Sequence, residues 1–205
     1  MKNHRAVQEV NAGSMADIAF LLLIFFLVTA SIENDAGLNR MLPSTNNQAT
    51  ADIKKCNLFE ITINNKDEIM ADGEIEQLQH LREKIIRFID NGGLPVQDDN
   101  YCSYCKGERL NTLSEHPSKA IISIKTQRNT SYPVYVAVQN EVIGAYNYLR
   151  NSQSLRLFNT TFEVMNSKYH DAKTTVNEKV KLKEQIEIVR KLYPQKIVEP
   201  ETINN

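Results

Sequence analysis

Apolar residues are concentrated in one run near the N-terminus. Residues 18–28 are eleven consecutive apolar residues, and they lie within a longer, mostly apolar segment, 13–32. A helix of this length rises about 30 Å, which matches the hydrocarbon thickness of a bilayer. Its one charged residue, Asp17, costs about 3 kcal/mol on insertion, whereas the Leu, Ile, Phe and Val residues contribute about 3–6 kcal/mol in favour. The pattern predicts a transmembrane helix over residues 13–32, after a tail at residues 1–12.

The charges that flank this segment predict its orientation. Lys2 and Arg5 precede it, whereas Glu33 and Asp35 follow it. Because basic flanks tend to stay in the cytoplasm, we expect the N-terminus inside and residues 33–205 outside.

A cleaved signal peptide is the alternative interpretation of the same segment. It would have a basic start, an apolar centre and a small residue, Ala30, at the cleavage point. Asp17 opposes this alternative, because a signal peptide gains nothing from an acidic residue at the start of its apolar run.

Asp17 is the residue of this segment that indicates chemistry. On a helical wheel, its face also carries Ser14, Leu21, Ile24 and Val28. A carboxylate there cannot stay charged against lipid, so it is protonated, paired, or turned toward a water-filled gap between helices. Desolvation favours the neutral form and water restores the charged one, as a proton relay requires. One span cannot build such a gap, so a multi-span membrane partner is expected.

Behind the helix, the pattern predicts a polar tether and then a folded domain. Residues 33–56 show little periodicity, and such a segment spans about 75 Å when fully extended. Residues 57–199 alternate between strand and helix patterns and precede a tail, residues 200–205. The fold expected is a small α/β (α+β) domain with helices on one face of a sheet. The predicted elements are strands at 58–63, 69–71, 120–124 and 196–199, a helix from Glu74 to Ile89, and a second helix from Tyr132.

Two stretches are additions to this simple core. Residues 92–118 form a long insertion between the first helix and the third strand. Residues 150–195 are expected to extend the second helix and to add a charged helix, which either packs on the domain surface or binds a partner or a second copy. The apolar stripe of that added helix consists of Val176, Val180, Leu182, Ile186, Val189 and Tyr193.

The insertion contains a C-x-x-C pair, Cys102 and Cys105. Such a pair forms a local disulfide, a redox dithiol or half of a zinc site. The polar surroundings and the lack of a second ligand pair favour a disulfide that closes the loop. The remaining thiol, Cys56, is either buried or pairs between two chains.

Composition narrows the classes of function. The 205 residues carry 24 basic and 25 acidic side chains, for a net charge of -1, which argues against a nucleic-acid partner. The four histidines are scattered, and neither a Ser-His-Asp arrangement nor a phosphate-binding loop is visible. We therefore expect no enzyme activity, no metal and no cofactor.

The N-terminal residues resemble a family signature. Val10-Asn11, Met15-Ala16-Asp17-Ile18 and the run Leu22–Thr29, followed by Leu42-Pro43, are similar to the start of ExbD/TolR proteins. Many members have a proline shortly before the aspartate, where this chain has Gly13-Ser14-Met15-Ala16.

This resemblance implies a role. ExbD/TolR proteins are single-span subunits of proton-driven motors in Gram-negative inner membranes, and the proton-carrying aspartate of the family corresponds to Asp17. The implied partners are an ExbB-like multi-span protein, a TonB-like periplasmic protein that opens outer-membrane transporters, and a second copy of the chain. A TolR-like role would instead serve envelope maintenance, with a peptidoglycan contact. From different classes, the alternatives are a secreted periplasmic binding domain and a tethered thiol oxidoreductase that uses Cys102 and Cys105.

Overall fold

The computed structural model describes residues 12–29 and 53–200. The chain divides into two compact units, Met1–Asn39 and Arg40–Asn205. The predicted tail before Ala12, most of the tether and residues 201–205 lie outside the described residues.

The described part of the first unit is one helix, α1 (Ala12–Thr29). It covers most of the predicted segment 13–32, whose last three residues lie outside the described part. Within residues 12–29 and 53–200, no helix combines the length and the apolar character needed to cross a membrane.

The second unit is built on a five-stranded mixed sheet. Its strand order is β3-β2-β1-β4-β5, with β1 paired antiparallel to β2 and parallel to β4. Leu58 lies opposite Ile121 and Ile63 lies opposite Thr126, so β1 and β4 pair along their whole length. The strands are β1 (Leu58–Ile63), β2 (Ile69–Ala71), β3 (Glu74–Glu76), β4 (Ile121–Thr126) and β5 (Ile197–Val198).

Helices cover one face of this sheet. Phe59, Ile61 and Ile63 alternate along β1 and are buried in the same cluster as Ile85 of α2 and Val142 of α3. The unit is therefore a small α+β domain, as the sequence predicts. Its helices are α2 (Leu78–Ile89), α3 (Tyr132–Phe158), α4 (Phe162–His170) and α5 (Val176–Leu192).

The prediction that the first helix begins at Glu74 is wrong. Residues Glu74–Glu76 form strand β3, and α2 begins at Leu78. Asp72 (φ 52°) and Gly73 (φ 87°) turn the chain in the left-handed region, which folds β3 back onto β2. Three residues are too few for a strand to be distinguished from the first turn of a helix by periodicity.

The C-terminal addition contains one helix more than expected. Helix α3 ends where Asn159 adopts a left-handed conformation (φ 53°), and the Thr161 side chain then caps the unpredicted helix α4. Helix α5 begins with a capping box between Thr175 and Glu178. Ile186 and Val189 of α5 are buried against α4, whereas Val176 and Val180 of the predicted stripe are exposed.

Burial in the main core predicts the effect of matched substitutions. Ile85→Ala removes a fully buried side chain from α2 and should lower the free energy of unfolding by about 3 kcal/mol. Ile188→Ala makes the same change at an exposed position of α5 and should cost less than about 0.5 kcal/mol. Urea unfolding of both variants checks this, and equal losses would contradict the assigned core.

Candidate functional site

Helix α1 exposes nearly all of its apolar side chains. Nine large apolar residues between Met15 and Phe26 are 41–64% exposed in the single chain. They lie on every side of the helix, because their positions run almost without a break through more than three turns. An apolar surface of this extent marks an interaction site for apolar surroundings.

Asp17 is the acidic residue on this helix. It is exposed and lies in the second turn of α1, with Leu21 one turn and Ile24 two turns further along the same side. The side chains of Ser14 and Val28, the other two residues predicted to share this face, lie outside the described part. Apolar surroundings around α1 would have to provide this carboxyl group with a polar partner or with water.

In the α+β domain, Glu115 joins the end of the tether to the insertion. Its carboxylate accepts hydrogen bonds from Lys54 Nζ at 2.6 Å, Lys119 Nζ at 3.0 Å and Asn57 Nδ2 at 3.2 Å, and its backbone N–H donates to Asn57 Oδ1 at 2.8 Å. The bond from Lys54, followed by that from Lys119, lowers the pKa of Glu115 to about 2. These bonds attach Lys54 and Asn57 to the insertion, and we call the group the Glu115 anchor.

Sequence reasoning missed the Glu115 anchor. Glu115 lies 58 residues beyond Asn57, and no short motif connects them. Asn57 is buried at the end of a short 3-10 turn, Lys55–Asn57, which leads directly into β1.

The C-x-x-C pair forms a disulfide between Cys102 and Cys105 with a Cα–Cα distance of 5.5 Å. Arg109 donates to the carbonyl oxygens of Cys102 at 3.2 Å and of Cys105 at 3.4 Å, which holds the closed loop from outside. Cys56 is a half-buried free thiol at the start of the domain. Within the part of the chain that the structure describes, no three or more His, Cys, Asp and Glu residues cluster as metal ligands.

The turn after β4 lines an open groove of about 430 Å³. Thr130 fixes the turn by donating from its hydroxyl to the carbonyl oxygen of Ile63 at 3.1 Å, and Gln127 accepts from the backbone N–H of Asn65 at 2.9 Å. Tyr132, which is exposed, and Glu199 also line the groove. These residues form a polar surface at the carboxyl end of the two longest strands.

The sequence matches the family model described as Biopolymer transport protein ExbD/TolR over residues 3–150. This match covers more than half of the 205 residues, and the chain belongs to the ExbD/TolR family. No curated protein matches the chain. The family is one of biopolymer transport and energy transduction, and its members generally work with membrane partners of the ExbB/TolQ type. The match includes α1 and the insertion and ends within α3, so α4, α5 and β5 lie beyond it.

The lowered pKa of Glu115 predicts a pH-dependent contribution to stability. Because the folded pKa of about 2 lies below the ordinary value of 4.5, this contribution is present above about pH 4.5 and is lost as the pH falls toward 2. Glu115→Gln should therefore lower the free energy of unfolding by about 1 kcal/mol at pH 7 and by much less near pH 2.5. The measurement is urea unfolding at both pH values.

Glu108→Gln is the matched control for this measurement. Glu108 pairs with Arg87 at 2.8 Å, but both side chains are more than half exposed, so the loss should stay below about 0.5 kcal/mol. A loss for Glu115→Gln that is the same at both pH values would show that its carboxylate is not the group responsible.

Proposed function

We propose that this chain is the proton-carrying subunit of an inner-membrane motor of the ExbB–ExbD type. In this proposal, residues 13–32 span the membrane with the N-terminus in the cytoplasm, and the α+β domain lies in the periplasm. The motor couples proton flow to transport through TonB-dependent outer-membrane proteins. The observation that carries the proposal is Asp17, an acidic residue on a mostly apolar helix whose described large apolar side chains are exposed, in a chain that belongs to the ExbD/TolR family.

Asp17 acts by changing its charge. When protonated, it is a small neutral side chain that tolerates apolar surroundings, and when ionised it requires water or a cationic partner. Each proton that binds or leaves therefore changes which surroundings the helix prefers. An ExbB-like partner that offers water on one side of the membrane and then on the other would convert this preference into movement.

The side of α1 that carries Asp17 is the side proposed to face the channel. Leu21 and Ile24 continue this side toward the periplasm, and Ser14 and Val28 complete it in the sequence. Aliphatic side chains there would keep water from passing freely beyond Asp17, so that protons cross only on the carboxyl group.

The outer domain is proposed to transmit the movement. The polar tether gives it reach, and the Glu115 anchor attaches the end of the tether to the insertion through Lys54 and Asn57. The domain would then act on a TonB-like periplasmic protein, with two copies of the chain in one motor. A TolR-like role in envelope maintenance uses the same membrane machinery and differs in the periplasmic client and in a contact with peptidoglycan.

Asp17→Asn tests the proposal. The amide is nearly the same size but does not carry a proton, so we expect loss of at least about 90% of energy-dependent uptake or of envelope integrity, since removal of an essential proton carrier leaves no parallel route. The measurement is complementation of a deletion strain. Failure in uptake assays supports the ExbD role, and failure in detergent-sensitivity assays supports the TolR role.

Two controls make this result specific. Asp99→Asn changes an exposed acid in the insertion and should leave activity unchanged. The mass of the mature chain, recovered from carbonate-washed membranes, shows whether residues 1–30 are retained and whether the variant inserts normally. Full activity of Asp17→Asn, or a mature chain that lacks residues 1–30, would contradict the proposal.

A further inference from the structure

The insertion and the C-terminal helices meet at one buried cluster of polar and aromatic side chains. It consists of Asp90 at the end of α2, Tyr104 in the insertion, Arg150 in α3 and Tyr193 just after α5. Asp90, Arg150 and Tyr193 are buried and Tyr104 is half-buried. We call this cluster the junction.

Tyr104 connects the insertion to the end of α5. Its hydroxyl donates to the backbone oxygen of Leu192, the last residue of α5, at 2.8 Å. Its ring packs edge-on against Tyr193, with 5.5 Å between the ring centres. Its own carbonyl oxygen accepts from Gln153 Nε2 of α3 at 3.3 Å. Tyr104 of the insertion thus contacts both α3 and α5.

Tyr193 completes the junction from the other side. Its hydroxyl donates to Asp90 Oδ1 at 2.6 Å, and its carbonyl oxygen accepts from Arg150 Nη2 at 2.8 Å and Nε at 3.1 Å. Burial and the neighbouring Asp90 raise the pKa of Tyr193, so its hydroxyl stays protonated and remains a donor. Asp90 also accepts from the backbone N–H of Lys106, directly after the second cysteine, at 3.2 Å.

The Cys102–Cys105 disulfide fixes the backbone that presents Tyr104. Tyr104 lies inside the small ring that the disulfide closes, so its backbone has little freedom while the bond is intact. Gly92 packs against this ring so closely that a Cβ atom at its position would lie 2.8 Å from the Cys105 Cβ. The disulfide therefore adds a covalent restraint on the position of Tyr104 to the contacts that Tyr104 makes itself.

The junction also lies just before the last strand of the sheet, β5, in the chain. Three residues after Tyr193, the carbonyl oxygen of Lys196 accepts from the N–H of Ile122 in β4 at 3.0 Å, and β5 follows at once. With only two residues, β5 has few bonds of its own to hold it against β4. Lys196 Nζ also donates to the carbonyl oxygen of Ser118, and Glu199 accepts from Tyr135 Oη and Gln139 Nε2, both at 2.9 Å. The junction is therefore one of several attachments of this segment, and it is the one that connects the segment to the insertion.

We propose that the disulfide is a redox-controlled latch, which tightens the attachment of the end of α5 and of strand β5 to the domain when oxidised and loosens it when reduced. The reductant is a dithiol. One of its thiolates attacks a cysteine sulfur, the Cys102–Cys105 bond breaks, and the second thiol resolves the mixed disulfide. The dithiol is oxidised to a disulfide, and Cys102 and Cys105 gain two electrons and two protons as thiols. The opened ring no longer fixes Tyr104, and its bond to Leu192 is lost.

Hydrogen exchange on the full chain tests the latch. The oxidised protein is compared with protein reduced by dithiothreitol, with complete reduction verified by alkylation and mass. We expect backbone amides of residues 189–198 to exchange at least about tenfold faster after reduction, and those of β1 to keep their rates, because only a local unit opens. The measurement is made in a Cys56→Ser background, which removes the third thiol and prevents disulfide exchange.

A hydroxyl deletion provides a second test that leaves the disulfide intact. Tyr104→Phe keeps the ring but removes the donor to Leu192, so residues 189–198 should again exchange faster. Tyr101→Phe deletes a hydroxyl elsewhere in the insertion, where the ring packs under Arg109, and should change nothing in that segment. Unchanged exchange of residues 189–198 after complete reduction would overturn the latch. Equal acceleration in β1 would also overturn it, because the disulfide would then stabilise the whole domain. Neither result depends on the role of Asp17.

Discussion

A carboxyl group on an apolar helix must be neutral, paired or hydrated, and the proposed function of this protein follows from that constraint. The described large apolar side chains of α1 are exposed in the single chain, and the proposal places them against lipid and a partner protein. Because α1 carries Asp17, lipid alone would be an unfavourable environment for this helix. A membrane partner that supplies water to the carboxyl group would satisfy both requirements, and members of the ExbD/TolR family generally work with membrane partners of the ExbB/TolQ type.

The α+β domain is stabilised mainly by the burial of apolar side chains. Its core forms where alternating residues of β1 meet the apolar faces of α2 and α3. Two groups of polar side chains attach other segments of the chain to this domain. The Glu115 anchor ties the end of the tether to the insertion, and the junction ties the C-terminal helices to the same insertion through Tyr104. The insertion is thus the part of the domain to which both ends of the folded unit are attached.

Sequence patterns predict those elements of this protein in which apolar residues recur at a regular spacing. The strand alternation in residues 58–63 and the stripe from Leu78 to Ile89 are clear, and Asp17 is conspicuous because it interrupts an apolar run. Helix α4 was missed because it is short and follows α3 after only three residues. The Glu115 anchor and the junction include pairs as far apart in sequence as Asn57–Glu115, 58 positions, and Asp90–Tyr193, 103 positions. Such pairings arise from tertiary packing that no local pattern contains.

The most direct measurement of the central claim is the reactivity of Asp17 toward carbodiimides in native membranes. An apolar carbodiimide reaches protonated carboxyl groups in apolar surroundings, whereas a water-soluble one reaches exposed acids such as Asp99. We predict that the apolar reagent modifies Asp17 preferentially and that the water-soluble reagent does not. Equal labelling of Asp17 and Asp99 by the water-soluble reagent would place Asp17 in open water and contradict the account.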